Sequence, residues 1–144
     1  MEEVVVPSVS VGYLGRQVLV ELYGCPAERL MDVPGVEGAM REAAVRCGAT
    51  VVQSAFHAFS PCGVSGVVII AESHLTIHTW PEHGYAAVDV FTCGASLDAE
   101  AGVDVLTTML GARHSSLVEV QRGARRHLCP TGPLPDVAGS AFAE

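Results

Sequence analysis

The sequence predicts an α+β domain built as a two-layer sandwich, with one antiparallel β-sheet, helices on one face of it, and the other face left for a second copy. Three observations carry this. Four segments rich in β-branched and aromatic residues (50–59, 65–71, 74–80 and 85–91) are joined by links too short for parallel crossovers. Two other segments place apolar residues at helical spacing: Val36, Met40, Ala43, Ala44 and Cys47, then Val103, Leu106 and Leu110. The run Val67, Val68, Ile69, Ile70 is apolar on both sides of a strand, so the sheet face away from the helices also needs cover.

In chain order, residues 1–11 read as a loose extension and Gln17 to Tyr23 as the first strand. Pro26 opens a short helix to about Met31, and a longer helix spans about 35–47 with Gly48 as its stop. The four strands follow, separated by Pro61-Cys62-Gly63, by a tight Glu72-Ser73 junction and by Pro81-Glu82-His83-Gly84. Asp98 is placed to cap the second long helix, and Arg113 to Gln121 forms the last strand. Residues 130–144, with Pro130, Pro133 and Pro135, read as a mobile tail.

The 144 residues suffice for a single domain with a real core, and 49% hydrophobic content with mean hydropathy +0.37 fits a densely packed or oligomeric one. A formal charge of -8 argues against nucleic acid as a partner, and the short basic group Arg122, Arg125, Arg126 and His127 reads as a solvated face. The N-terminus lacks a basic, then apolar, leader, and no run has the length of a membrane span; the expectation is a cytoplasmic protein with no membrane partner. Five cysteines, widely spaced and without a C-x-x-C pair, indicate neither a disulfide framework nor a zinc ribbon. Lysine is absent altogether, which closes the lysine Schiff base that pyridoxal phosphate requires.

Chemistry concentrates in residues 71–94, AESHLTIHTWPEHGYAAVDVFTCG, where a hydroxyl, imidazoles, carboxylates and a thiol interrupt a core-strand pattern. Taken singly, each has a plain structural reading: Ser73 as a turn residue, His78 as a histidine bonded within the sheet, Cys93 as a small buried thiol. His74 and His78 are four apart, but on a strand that is about 13 Å, too far for one metal to take both, and no metal site is expected. Gly63-Val64-Ser65-Gly66-Val67 is not the G-x-S-x-G elbow of a serine hydrolase, because its last glycine comes one position early.

Together with Phe56-His57 and Gly63 to Val67, this run closely resembles the self-processing segment of bacterial S-adenosylmethionine decarboxylase proenzymes, over roughly residues 12 to 94. The resemblance implies that the Ser73 hydroxyl attacks the Glu72 carbonyl and that the resulting ester eliminates and hydrolyses. The products would be a β chain of residues 1–72 and an α chain of residues 73–144 that begins with a pyruvoyl group, the Schiff-base former of the reaction. It implies His78 as the proton acceptor of processing, Ser65 as its second processing residue, Cys93 as the proton donor of decarboxylation, and Phe59 and Glu82 as contacts to adenine and ribose. The implied product is decarboxylated S-adenosylmethionine, the aminopropyl donor for spermidine. The chain departs from the family pattern at His83, Ala55 and Ala58, of which His83 and Ala58 bear on substrate choice but not on self-cleavage.

Five residues of strand separate Ser73 from His78, about 16 Å at roughly 3.3 Å each. One straight strand cannot join them: either the chain folds back sharply, or His78 acts on Ser73 of a partner subunit. The longer eukaryotic-type relatives, which look like a duplicated single chain, imply the second, an obligate homodimer in which Phe59, Ser65, His78 and Glu82 of one subunit face Ser73 and Cys93 of the other. Three alternatives stay open: a pyruvoyl-dependent arginine or ornithine decarboxylase of the same family, a hydrolase using Cys93 or Ser73 with a histidine, and a non-catalytic dimeric homologue.

Overall fold

A computed structural model describes residues 12–93, 97–129 and 132. The loose extension and nearly all of the mobile tail expected from the sequence lie outside the described residues.

Six strands form one antiparallel sheet: β1 (Tyr13–Tyr23), β2 (Val51–Ala58), β3 (Val64–Ile70), β4 (Ser73–Trp80), β5 (Tyr85–Thr92) and β6 (His114–Ala124), in the spatial order β2-β3-β4-β5-β1-β6. The β2 to β5 meander follows from its short turns, since a tight link can only return the chain beside itself. β1 then pairs with β5 and β6 closes the sheet outside β1. β1 and β6 both run past the ends expected from the sequence, β1 at its start and β6 at its finish. Tyr13 pairs with Ala124 and Gly15 with Arg122, so residues too polar or too small to read as strand from composition are held there by their partner.

Helices α1 (Ala27–Met31), α2 (Val33–Arg46) and α3 (Ala99–Leu110) all cover one face. The Asp98 side chain accepts from the Ala101 N–H, as its position before the apolar run predicted. Val36, Met40, Ala43 and Ala44 of α2 and Val103, Leu106 and Leu110 of α3 meet Val18, Val20 and Leu22 of β1, Val68 of β3, Leu75 and Ile77 of β4 and Val88 of β5 in one buried core. Among the described residues no helix is long and apolar enough to cross a membrane.

Gly66 shows how tightly the β2–β3 hairpin is filled. A Cβ there would lie 2.0 Å from the Phe56 ring, which packs over the glycine with which it is paired. Gly66→Ala must displace that ring from a partly buried site, and overpacking of this kind costs about 1–3 kcal/mol. A lower melting temperature than the parent's, with an unchanged far-ultraviolet spectrum, is the expected result.

Among the described residues the opposite sheet face carries no helix. By alternation and register it presents Ile69, His74, Phe91, Gln17 and Val120 in one row, Val67, Thr76, Asp89, Leu19 and Val118 in the next, and Ser65, His78, Ala87, Glu21 and Ser116 in a third. Ile69, Val118 and Val120 are 42%, 58% and 41% exposed, so this face is the uncovered apolar surface that the Val67 to Ile70 run predicted.

Candidate active site

The hairpin from β3 to β4 turns on Ala71 and Glu72 alone, with Ile70 paired to Ser73. Ser73 has φ 148°, and it is the one described non-glycine residue with positive φ. A side chain in this region costs on the order of 1–3 kcal/mol unless its surroundings enforce it. Here they do. The Ala71 N–H donates to the Thr50 carbonyl at 2.9 Å, and the Thr50 N–H donates to both Glu72 carboxylate oxygens at 3.3 Å.

The Glu72 carbonyl is held from the other side. It accepts the Cys93 backbone N–H at 3.0 Å and the Cys93 thiol at 3.1 Å. Two donors on one carbonyl oxygen, next to a strained residue carrying a hydroxyl, form an arrangement able to stabilise an oxyanion at that carbon. Sequence reasoning placed Cys93 in decarboxylation; the structure sets it equally against the Glu72–Ser73 peptide. It also places His74 Nδ1 3.2 Å from Ser73 Oγ, a neighbour that sequence reasoning weighed only as a metal ligand.

The other sequence-predicted residues gather at the far end of the same strands. Ser65 and His78 face one another across β3 and β4, with Ser65 Oγ 2.6 Å from His78 Nδ1. His57 is opposite Ser65 on β2, and its ring meets the Phe59 ring edge-on at 4.7 Å. Phe59 is 52% exposed at the end of this hairpin. Glu82 lies in the 3-10 turn Pro81–His83 that follows β4, and its carboxylate accepts from the Cys62 thiol at 3.3 Å. Its own backbone N–H, and then that thiol, hold the Glu82 carboxyl below the usual range.

Within one subunit, then, the candidates form two separate groups. Ser73 with Glu72 and Cys93 sits at one end of β4, and Ser65, His78, Phe59 and Glu82 sit at the other. β4 is paired without interruption on both sides between them, so no fold-back brings His78 to Ser73. At the His78 end of β4, next to the turn that holds Glu82, the open face carries a stack of Trp80 on Tyr85 and Tyr85 on Tyr23. Burial, then the hydrogen bond to Glu21, pushes the Tyr85 phenol up to about 12, and it stays a donor throughout the neutral range.

The family model for S-adenosylmethionine decarboxylase matches residues 16–123 of this chain, from β1 through β6. The chain belongs to the S-adenosylmethionine decarboxylase family. An S-adenosylmethionine decarboxylase proenzyme of Pseudomonas aeruginosa is 54% identical over 114 residues, which are 79% of this chain and 71% of that one. The proenzyme of Caldicellulosiruptor saccharolyticus is 56% identical over 110 residues, 76% of this chain and 89% of its own. Among solved structures, the adenosylmethionine decarboxylase of Aquifex aeolicus is similar with a TM-score of 0.72 at 34% identity, covering 84% of this chain and 100% of that one. Family membership thus extends past Cys93 to α3 and β6, where residue-level likeness is hardest to see in the sequence alone.

Proposed function

We propose that this protein is a carboxy-lyase that decarboxylates S-adenosylmethionine with a pyruvoyl group made from its own Ser73, in a dimer whose sites are shared. The observation that carries the reading is the Glu72–Ser73 peptide of a chain in this family. It combines a residue with φ 148°, a hydroxyl on the next carbon, and a carbonyl already held by two donors of Cys93. The relatives' name, proenzyme, supports a processed chain.

Processing balances without any added reagent but water. Ser73 Oγ bonds to the Glu72 carbonyl carbon as its proton leaves to a base, and the C–N bond to Ser73 breaks to give an ester. Loss of the Ser73 Cα proton then expels the Glu72 carboxylate and leaves dehydroalanine. Its imine tautomer takes up water and releases ammonia, so residues 73–144 begin with a pyruvoyl group and residues 1–72 end in a carboxylate. In decarboxylation the pyruvoyl group supplies an electron sink for the bond to CO2.

The chain's own residues do the rest. The Cys93 thiol, beside the new terminus, returns a proton to the substrate α-carbon. Phe59 offers an exposed ring for adenine, and Glu82 offers two acceptor oxygens for the ribose hydroxyls. His78 is the processing base and Ser65, hydrogen-bonded to it, assists the acyl shift. Both act from the partner subunit. Two copies related by a two-fold axis near the middle of β4, packed by their open faces, would put the Ser73 end of each over the His78 end of the other, and would cover Ile69, Val118 and Val120. The formal charge of -8 suits a cationic substrate.

Carboxyl-labelled S-adenosylmethionine, ornithine and arginine, offered in parallel, distinguish the readings. Label is expected as CO2 from S-adenosylmethionine alone. Release from ornithine or arginine alone would overturn the substrate while leaving the processing argument in place. An uncut chain that releases none would favour a non-catalytic homologue.

A further inference from the structure

Cys62 has no part in the mechanism just described, yet it touches one of its residues. It lies in the turn between β2 and β3, after Ser60 and Pro61 and before Gly63. This turn is closed by the Phe59 N–H donating to the Gly63 carbonyl at 2.8 Å. It is tied to the end of β4 by the Val64 N–H, which donates to Thr79 Oγ1 at 2.8 Å, while Thr79 donates to the Leu30 carbonyl at 2.9 Å. Gly63 has φ +109°, and a Cβ there would come within 3.2 Å of the Thr79 carbonyl. The turn is therefore fixed against the strand that leads, two residues later, into Pro81 and Glu82. From it the Cys62 thiol reaches Glu82 Oε2 at 3.3 Å.

We propose that Cys62 is a positioning residue that orients the Glu82 carboxylate for the ribose diol, and so favours a nucleoside substrate over a bare diamino acid. This rests on the function proposed above and deepens it. A carboxylate on a solvent-exposed turn is free to rotate about its last bonds; a donor on one oxygen sets the plane and leaves the remaining lone pairs for two hydroxyls. The same turn carries Phe59 at its start, so one rigid loop places both the adenine contact and the donor that aims the ribose contact. Sulfur suits the position, because its longer bonds span a gap that a serine hydroxyl would bridge less well.

The test uses the full processed protein, with intact mass confirming equal cleavage of parent and variants. Steady-state kinetics with S-adenosylmethionine are combined with inhibition by 5′-methylthioadenosine and by its 2′,3′-dideoxy counterpart, which lacks the diol. Cys62→Ala is expected to raise KM and the 5′-methylthioadenosine inhibition constant about fivefold, the loss of one modest hydrogen bond, with kcat within about twofold. It should leave the dideoxy constant unchanged. Cys62→Ser should recover only part of the loss, and in a Glu82→Gln background Cys62→Ala should add nothing. Equal weakening of both nucleosides, a fall in kcat at constant KM, or no change at all would overturn the proposal. A parent protein that turns over no S-adenosylmethionine would instead sink the function on which it rests.

Discussion

Replacing Ser73 by alanine is expected to leave the 15.0 kDa chain whole and to abolish CO2 release. The argument is one of atoms. In the proposed reaction the Ser73 hydroxyl forms the ester with the Glu72 carbonyl, and the carbons of the pyruvoyl group are those of Ser73 itself. Alanine keeps the backbone and the Cys93 donors but has no oxygen to attack with and no leaving group for elimination. Water is a poor substitute at an amide, so activity should fall to background, a loss on the order of 10⁶-fold or more by the usual scale of enzymatic acceleration. Parent protein should give two masses, for residues 1–72 and 73–144, and the variant one. A variant that is cut, or uncut but active, would refute the assignment. Because the Ser73 backbone has positive φ for either side chain, the substitution should leave the strain, and hence the melting temperature, nearly unchanged.

The second large effect concerns who supplies the base. His78→Ala alone should slow processing by about 10² to 10⁴, the usual contribution of a positioned general base. Co-expressed with Ser73→Ala, however, it should be rescued. In a mixed dimer one site joins the intact Ser73 of the first copy to the intact His78 of the second, and the other site lacks both. The chain carrying His78→Ala is then cut and its partner is not, which differently tagged copies reveal by mass. Rescue requires that the two groups at opposite ends of β4 belong to different subunits. If His78→Ala is processed at the parent rate, His78 is not the base, and His74, 3.2 Å from the Ser73 hydroxyl, is an imidazole within reach.

The prediction for His78 depends on a strand that stays straight, and much of that was legible beforehand. β-Branched density marked the four consecutive strands β2 to β5, short links made them antiparallel, and Asp98 announced α3. These are local preferences, read within a few residues. The ends of β1 and β6 were not legible, because Gly15 and Arg122 are strand residues only by pairing with one another. Nor was the Cys62 contact to Glu82, which joins two turns twenty positions apart, or the bond from the Thr50 N–H to the Glu72 carboxylate. The sequence marked Ser73 as a nucleophile by resemblance but held no sign of its strained backbone or of two donors on one carbonyl.

By itself, then, the sequence determined which residues have the chemistry to process and decarboxylate, the class of fold, and the sheet face left uncovered, because side-chain chemistry and hydrophobic period are properties of the chain. The tertiary structure alone decided where those residues stand: Cys93 doubly against the Glu72 carbonyl, Ser65 on His78, and the two groups held apart by an unbroken β4. The reason is physical. Hydrogen bonds across a sheet join residues far apart in sequence, and their register is set by the packing of the whole face rather than by any one segment.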